Sequence, residues 1–337
     1  MTHPATRTHA VAYLHSRPID APDALVDVEI DVPAPGPRDL LVEVRAVSVN
    51  PVDVKVRASA DPGGTPKVLG YDAAGVVVAT GDAVTAFSVG DEVYYAGSIA
   101  RPGSDANLQL VDERITGHKP KSLDFAEAAA LPLTTITAWE TLFDKLRFTP
   151  ESRGTLLVMA AAGGVGSMVV QLARRLTQLT VIGTASRPES VAWVREMGAH
   201  HVVNHHHLRE ELREVAPSGV DAIFSPFSAG NVETYAEILR PRGEIVAIDE
   251  PEGLDLLPLK DKSQTWHWEF MFTRPLVEPE STYQRELLDE VARLVDEGVL
   301  RTTLTNRVRP LNAETLRAAH RQLESSASVG KLVLDVS

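Results

Sequence analysis

Between about Thr134 and Glu250 the chain alternates short apolar runs with amphipathic stretches. LLVMAA, TVIGTA, HHVVNH, DAIFSPF and GEIVAID are separated by GSMVVQLARRL, ESVAWVREMG, LREELREVA and NVETYAEILR. Short apolar runs alternating with helices of about ten residues are what a parallel sheet covered on both faces requires. This stretch therefore predicts an α/β unit with a doubly wound parallel sheet.

The pattern is different on either side. AVAYL, DLLVEVRAVSVN, AAGVVVATG and DEVYYAG are strand-like runs divided by Pro, Gly and Asp turn signals, and PAPGPRD between them reads as a loop. They predict a mostly β unit, folded over as a barrel. DFAEAAALP reads as a short helix ending near Pro132, with Ser122 as its cap. Beyond the α/β stretch, TYQRELLDEVARLVDEG and LNAETLRAAHRQLES carry helical periodicity, and KLVLDV closes as a strand able to complete the first unit. The plan is a nucleotide-type domain inserted into a second domain, with a cleft between them as a place for substrate.

Composition narrows the function. The formal charge of −13 opposes a nucleic-acid partner. The absence of cysteine removes disulfides, thiolate nucleophiles and Cys-containing zinc sites. The first thirty residues do not read as a signal peptide, and no apolar run reaches membrane-spanning length, so a cytoplasmic protein with no membrane partner is expected.

The chemistry is carried first by Ala161-Ala162-Gly163-Gly164-Val165-Gly166, set between a predicted strand and a predicted helix. This is AxGxxG. In the dinucleotide fingerprint one glycine admits the pyrophosphate and the last lets helix and strand pack closely, roles that fall to Gly163 and Gly166. The N–H groups of the helix start would face the phosphates. At the end of the next strand, where an acid would grip a ribose 2′-hydroxyl, stand Ser186 and Arg187, with no Asp or Glu before Glu189. A hydroxyl beside a guanidinium suits a 2′-phosphate, which points to NADPH. Five of the eleven histidines fall in His200 to His207, and a loop near the cofactor is a better reading of them than a metal site. No Ser, His and acid arrangement stands out, and hydride transfer needs none.

Several separated motifs together resemble the medium-chain dehydrogenase/reductases, and within them the zinc-free quinone oxidoreductase branch. They are VRAVSVNPVDVKVR, VLGYDAAGVVVATG, FSVGDEVYYAG, AALPLTTITAWETL, the AAGGVG turn and SVGKLVLDV, in family order along almost the whole chain. WHWEFMFTR also looks like a signature of proteins labelled zinc-type alcohol dehydrogenase-like. Asn50 stands where zinc-dependent members carry Cys, and Tyr71 where they carry His, so no metal is expected. The resemblance implies a GroES-like, partly open β-barrel domain plus a Rossmann domain. It places the first part of the catalytic domain at 1–133, the NADPH-binding domain at 134–273 and the return to the catalytic domain at 274–337. It also implies a homodimer through the Rossmann sheets, with an edge near Gly243 to Asp249.

Carried over by position, Asn50 and Tyr71 resemble residues that polarise a substrate carbonyl, and Asp53 and Lys55 lie in the same substrate loop. Asp53 could equally make a local turn bond, Asn50 an Asx-turn before Pro51, and Tyr71 a packing contact. Thr137 resembles a nicotinamide contact. Gly163, Gly164 and Val165 look like pyrophosphate contacts, Ser186 and Arg187 2′-phosphate contacts, and Lys331 a further contact at the cleft. Phe227 and Ser228 follow the fourth Rossmann strand, where loops approach cofactor. The expected reaction is hydride transfer from NADPH to a quinone or enone. The alternatives are an enoyl-thioester reductase and a non-catalytic NADPH-binding regulatory protein.

Overall fold

The computed structural model describes residues 6–325 and 328–336, which form two compact units. The first comprises Met1–Leu133 and Phe272–Ser337, the second Thr134–Met271.

The first unit opens with β1 (Thr6–Tyr13), β2 (Val26–Val32), β3 (Asp39–Ser48), α1 (Pro51–Ser59), β4 (Lys67–Val68), β5 (Ala73–Thr80), β6 (Glu92–Tyr95), β7 (Leu108–Asp112) and β8 (Thr116–His118). Strand β3 alternates buried and half-buried positions, as a strand with one covered face must. Helix α1 went unseen in the sequence because its apolar positions are Val52, Val54 and Val56, a strand-like alternation. Pro51 at its first position and Asn50 and Asp53 in a capping box start a helix there instead. α2 (Phe125–Ala129) is capped by Asp124, not by Ser122, whose hydroxyl is bonded to Asp296 at 2.7 Å. The chain re-enters helix at once in α3 (Pro132–Trp139).

The second unit holds β9 (Thr155–Val158), α4 (Gly164–Leu176), β10 (Thr180–Thr184), α5 (Pro188–Met197), β11 (His201–Val203), α6 (Leu208–Val215), β12 (Val220–Ser225), α7 (Val232–Ile238), β13 (Leu239–Ala247) and β14 (Thr265–Trp268). Its sheet runs β11-β10-β9-β12-β13-β14, with every neighbouring pair parallel. The order reverses between β9 and β12, the switch point at whose carboxyl ends open α/β sheets bind ligands. β14 adds a sixth strand beyond the five apolar runs. It was illegible because TWHW has no run of aliphatic residues. Its presence corrects the expected edge: Gly243 to Asp249 lies on or just after β13, which is paired on both sides, and β14 is the outer strand.

Returning to the first unit, the chain forms α8 (Thr273–Val277), α9 (Tyr283–Asp296), β15 (Leu304–Val308), α10 (Ala313–Glu324) and β16 (Lys331–Asp335). β16 pairs antiparallel with β3, so the last strand does complete the first unit. That places Lys331 beside Ser48 to Asn50.

Candidate active site

In the second unit, β9 ends in a tight turn that leads into α4. Ala160 sits there at φ 49, a left-handed conformation, and its N–H donates to Thr184 Oγ1 at 2.9 Å, which ties the turn to β10. A Cβ on Gly166 would lie 2.4 Å from the Ala160 carbonyl oxygen and 2.7 Å from Ala161 Cα, so only glycine allows α4 to lie this close to the turn. A Cβ on Gly163 would meet nothing nearer than that same oxygen at 3.4 Å. The first α-helical bond of α4 is Ser167 N–H to Gly163 O, at 2.8 Å, which leaves the N–H groups of Gly164, Val165 and Gly166 outside the helical ladder. These groups and the helix dipole suit a pyrophosphate.

Ser186 and Arg187 are exposed directly after β10. Arg187 caps α5 through its backbone, and its guanidinium is 3.5 Å from Glu189 at the surface. No carboxylate lies between the end of β10 and Glu189. Phe227 is exposed after β12, at the switch-point end of the sheet. Ser228 is not: it is buried, and both its N–H and its hydroxyl donate to Asp249 at 2.6 Å. The expected cofactor contact is thus corrected to an internal brace, because its polar groups are already spent. Thr137 is buried in α3.

The histidine run is split by a short helical turn at His205–His207, capped by Asn204, and its imidazoles are exposed. Glu269, just past β14, is buried and pushed up to about 9 by burial and then by the neighbouring Glu140. Sequence reading missed this acid pair, since the two residues are far apart in the chain.

In the first unit, Asn50, Asp53, Tyr71, Asp72, Asp105 and Lys331 are all buried. Asn50 Nδ2 donates to Asp72 Oδ2 at 2.8 Å, to Ser48 O at 3.2 Å and to Tyr71 O at 3.4 Å, while its Oδ1 accepts from Lys331 Nζ at 2.5 Å. An amide so committed has no donor left for a substrate carbonyl, and that expectation is corrected. Lys331 also donates to Val49 O at 2.7 Å and lies 3.2 Å from Asp72 Oδ2. It is an internal counter-ion, not a cofactor contact, and burial pulls its pKa down while Asp72 opposes the shift. Asp53 accepts from Asn50 N–H at 2.6 Å and from Gly70 N–H at 3.1 Å. It is closed to solvent, and burial pushes it up to about 7. Lys55 is exposed on α1.

Tyr71 stands apart. Its ring meets Phe272 edge-on, with centroids 5.6 Å apart, and its hydroxyl has no hydrogen-bond partner among the described residues. Burial, then Asp53 and Asp105, raise its pKa, so the phenol holds its proton. A buried hydroxyl without an acceptor is costly unless something else is meant to take its proton or hydrogen bond.

Residues 36–132 match the alcohol dehydrogenase GroES-like domain, and residues 197–334 match the zinc-binding dehydrogenase family. The chain is 42% identical to a zinc-type alcohol dehydrogenase-like protein of Staphylococcus aureus, covering 90% of this chain and 92% of that one. It is 32% identical to a quinone oxidoreductase of Pseudomonas aeruginosa, over 89% and 92% of the two chains. A solved structure from Rhizobium etli, described as a putative zinc-dependent alcohol dehydrogenase, superposes with a TM-score of 0.94 at 49% identity over 98% of each chain. The donor set of this chain does not fit the zinc in those names. Cysteine is absent, and among the described residues no three His, Cys, Asp or Glu side chains are grouped to hold a metal ion. No described helix is long and apolar enough to cross a membrane. The chain carries a GroES-like domain and a Rossmann-type parallel sheet, and it belongs to the medium-chain dehydrogenase/reductase superfamily of oxidoreductases.

Proposed function

We propose that this protein is an NADPH-dependent, zinc-independent reductase of quinones or of enones. The observation that carries the reading is the pairing of the α4 turn with Ser186 and Arg187 one strand away: backbone donors for a pyrophosphate, and a hydroxyl and a guanidinium, but no acid, for a 2′-phosphate. A mycobacterial structural relative at 25% identity and TM-score 0.84 is described as complexed with NADPH, which supports the choice. A relative from Arabidopsis thaliana, 34% identical over 66% of this chain, is named an NADPH-dependent alkenal/one oxidoreductase, which supports the acceptor class.

Bound NADPH supplies the hydride. The chain's own work is to bind its phosphates at Gly163 to Gly166, to orient it, and to offer a proton to the acceptor. Tyr71 is our candidate for that last task, since its hydroxyl is protonated and uncommitted. Donors at an oxygen that gains charge during the reaction lower the barrier most. For assembly we propose a homodimer joined along β14, the outer strand, where Trp268 at its end and Phe270 just past it are each 49% exposed.

The test is to follow NADPH oxidation against a panel of quinones, enones and enoyl thioesters, with product analysis. Turnover restricted to thioesters would move the assignment to an enoyl reductase. Tight NADPH binding with no turnover across the panel would make the protein a cofactor-binding module.

A further inference from the structure

In the second unit a chain of hydrogen bonds runs from α5 to the glycine turn before α4. Ser167, buried in the first turn of α4, donates twice to Gly163 O, from its N–H at 2.8 Å and from its hydroxyl at 2.7 Å. The same hydroxyl accepts from Trp193 Nε1 at 2.8 Å. An indole nitrogen only donates. The direction is therefore fixed: Trp193 to Ser167 to Gly163.

Both ends of this chain bear on a bound dinucleotide. A trans peptide points its N–H opposite to its C=O. Two donors on Gly163 O thus hold the Gly164 N–H facing out of the helix start, where a pyrophosphate would lie. At the other end, Trp193 stands on the helix whose N-cap is Arg187. Ser190, one turn before Trp193, fixes that cap: its hydroxyl accepts from Arg187 N–H at 3.2 Å and donates to Arg187 O at 2.9 Å. The turn and α5 converge over Gly183 of β10. A Cβ there would lie 2.8 Å from Ala161 Cβ in the turn and 2.5 Å from Val194 Cγ1, next to Trp193.

We propose that Trp193 is a positioning residue that sets cofactor specificity. Through Ser167 it holds the helix of Arg187 to the glycine turn at one spacing, so that the pyrophosphate and the 2′-phosphate of a single dinucleotide are met together. The proposal rests on the NADPH reading and deepens it. NADPH carries both anionic groups on one covalent frame. Donors already spaced to match that frame bind it without the cost of being ordered on binding. NADH has no 2′-phosphate, engages the turn alone and gains little from the link.

A brace that served packing alone would behave differently. Its loss would loosen α5 whichever cofactor was bound, and would weaken both cofactors alike or neither. The Trp193 link acts only when both anchors are engaged, so its loss falls on NADPH and disappears once Arg187 is gone. The surroundings of Arg187 make the spacing count. Glu189 lies 3.5 Å from its guanidinium on the same helix, so α5 must sit close enough to the turn for a 2′-phosphate to win that competition.

Trp193→Phe keeps an aromatic ring and deletes the donor. Titration of each cofactor should show NADPH affinity falling about three- to ten-fold, the usual contribution of one hydrogen bond. NADH affinity should change by less than about two-fold. In an Arg187→Ala background the same substitution should cost NADPH nothing more, because the two residues act as one unit. Ser167→Ala cuts the link from the α4 side and removes one donor to Gly163 O, so it should weaken both cofactors and also lower the preference for NADPH. Hydrogen exchange at the Trp193 indole N–H of the wild type needs no variant: NADPH should slow it, and NADH should slow it much less. Equal slowing by the two cofactors, or none, overturns the proposal, as does a loss in W193F that persists undiminished without Arg187. A wild type that binds NADPH and NADH equally overturns the NADPH reading and this inference together. A wild-type preference for NADPH that survives intact in W193F overturns this inference alone.

Discussion

Lys331 and Asp72 face each other across 3.2 Å, and Asn50 bridges them by accepting from the ammonium and donating to the carboxylate. The trio ties the last strand of the first unit to its early segments. Removing one partner of a buried ion pair leaves an uncompensated charge, at a cost of about 3–5 kcal/mol. Lys331→Met should therefore destabilise the protein severely, whereas Lys331→Met with Asp72→Asn should recover much of the loss. Urea unfolding of the two singles and the double measures the coupling. Additive effects would show that the pair contributes nothing as a pair.

The second prediction concerns cofactor choice. Arg187 must leave Glu189, 3.5 Å away, to reach a 2′-phosphate. Charge-assisted bonds contribute about 1.5–3 kcal/mol each, so Arg187→Ala should weaken NADPH binding about ten-fold or more and leave NADH little changed. Glu189→Gln removes the competitor and should tighten NADPH. Fluorescence titration with both cofactors reads the three proteins. Equal wild-type affinities for NADPH and NADH, or parallel losses in R187A, would return Arg187 to a role at the surface.

The second unit was the more legible part. Each of its first five strands carries an apolar run, and β9, β10 and β12 are buried along most of their length, so local pattern and global fold coincide there. β14 breaks that rule, being aromatic and partly exposed at the edge, and was missed. The candidate site residues of the first unit were legible only as positions. Asn50, Asp53 and Lys331 were singled out for substrate and cofactor, but no sequence pattern says that an amide's hydrogens are spent on Ser48, Tyr71 and Asp72, or that Lys331 pairs with an acid from the far end of the unit.

The two outer glycines of the turn should respond differently to the same methyl group. Gly166→Ala places a Cβ against backbone atoms at 2.4 and 2.7 Å, which forces α4 away from the turn. Strain of this kind typically costs about 1–3 kcal/mol, so both stability and NADPH binding should fall. Gly163→Ala meets only the Ala160 oxygen at 3.4 Å, so the fold should tolerate it while the methyl obstructs a pyrophosphate approaching the helix start. Thermal melts with and without NADPH separate the cases. If G163A binds NADPH like the wild type, the phosphates do not sit where we place them.

The last prediction comes from His320, which lies on α10 with both ring nitrogens buried and without a partner among the described residues. Burial, then the guanidinium of Arg57, push its pKa down to about 3. In the unfolded chain an imidazole titrates near 6.5. The folded protein therefore takes up this proton less readily than the unfolded one. Its contribution to stability is intact above about pH 6.5 and is lost as pH falls from there towards 3, with a slope of about 1.4 kcal/mol per pH unit at most. His320→Met keeps the volume roughly and deletes both nitrogens. An unsatisfied buried polar group costs about 1–3 kcal/mol, so the variant should melt no lower than the wild type at pH 7. At pH 5 it should melt higher, because the histidine's share of the acid-side slope is gone. Unfolding free energies between pH 4 and 8 for the two proteins decide it: superimposable profiles would mean that His320 finds a proton, or a partner, that this packing does not show.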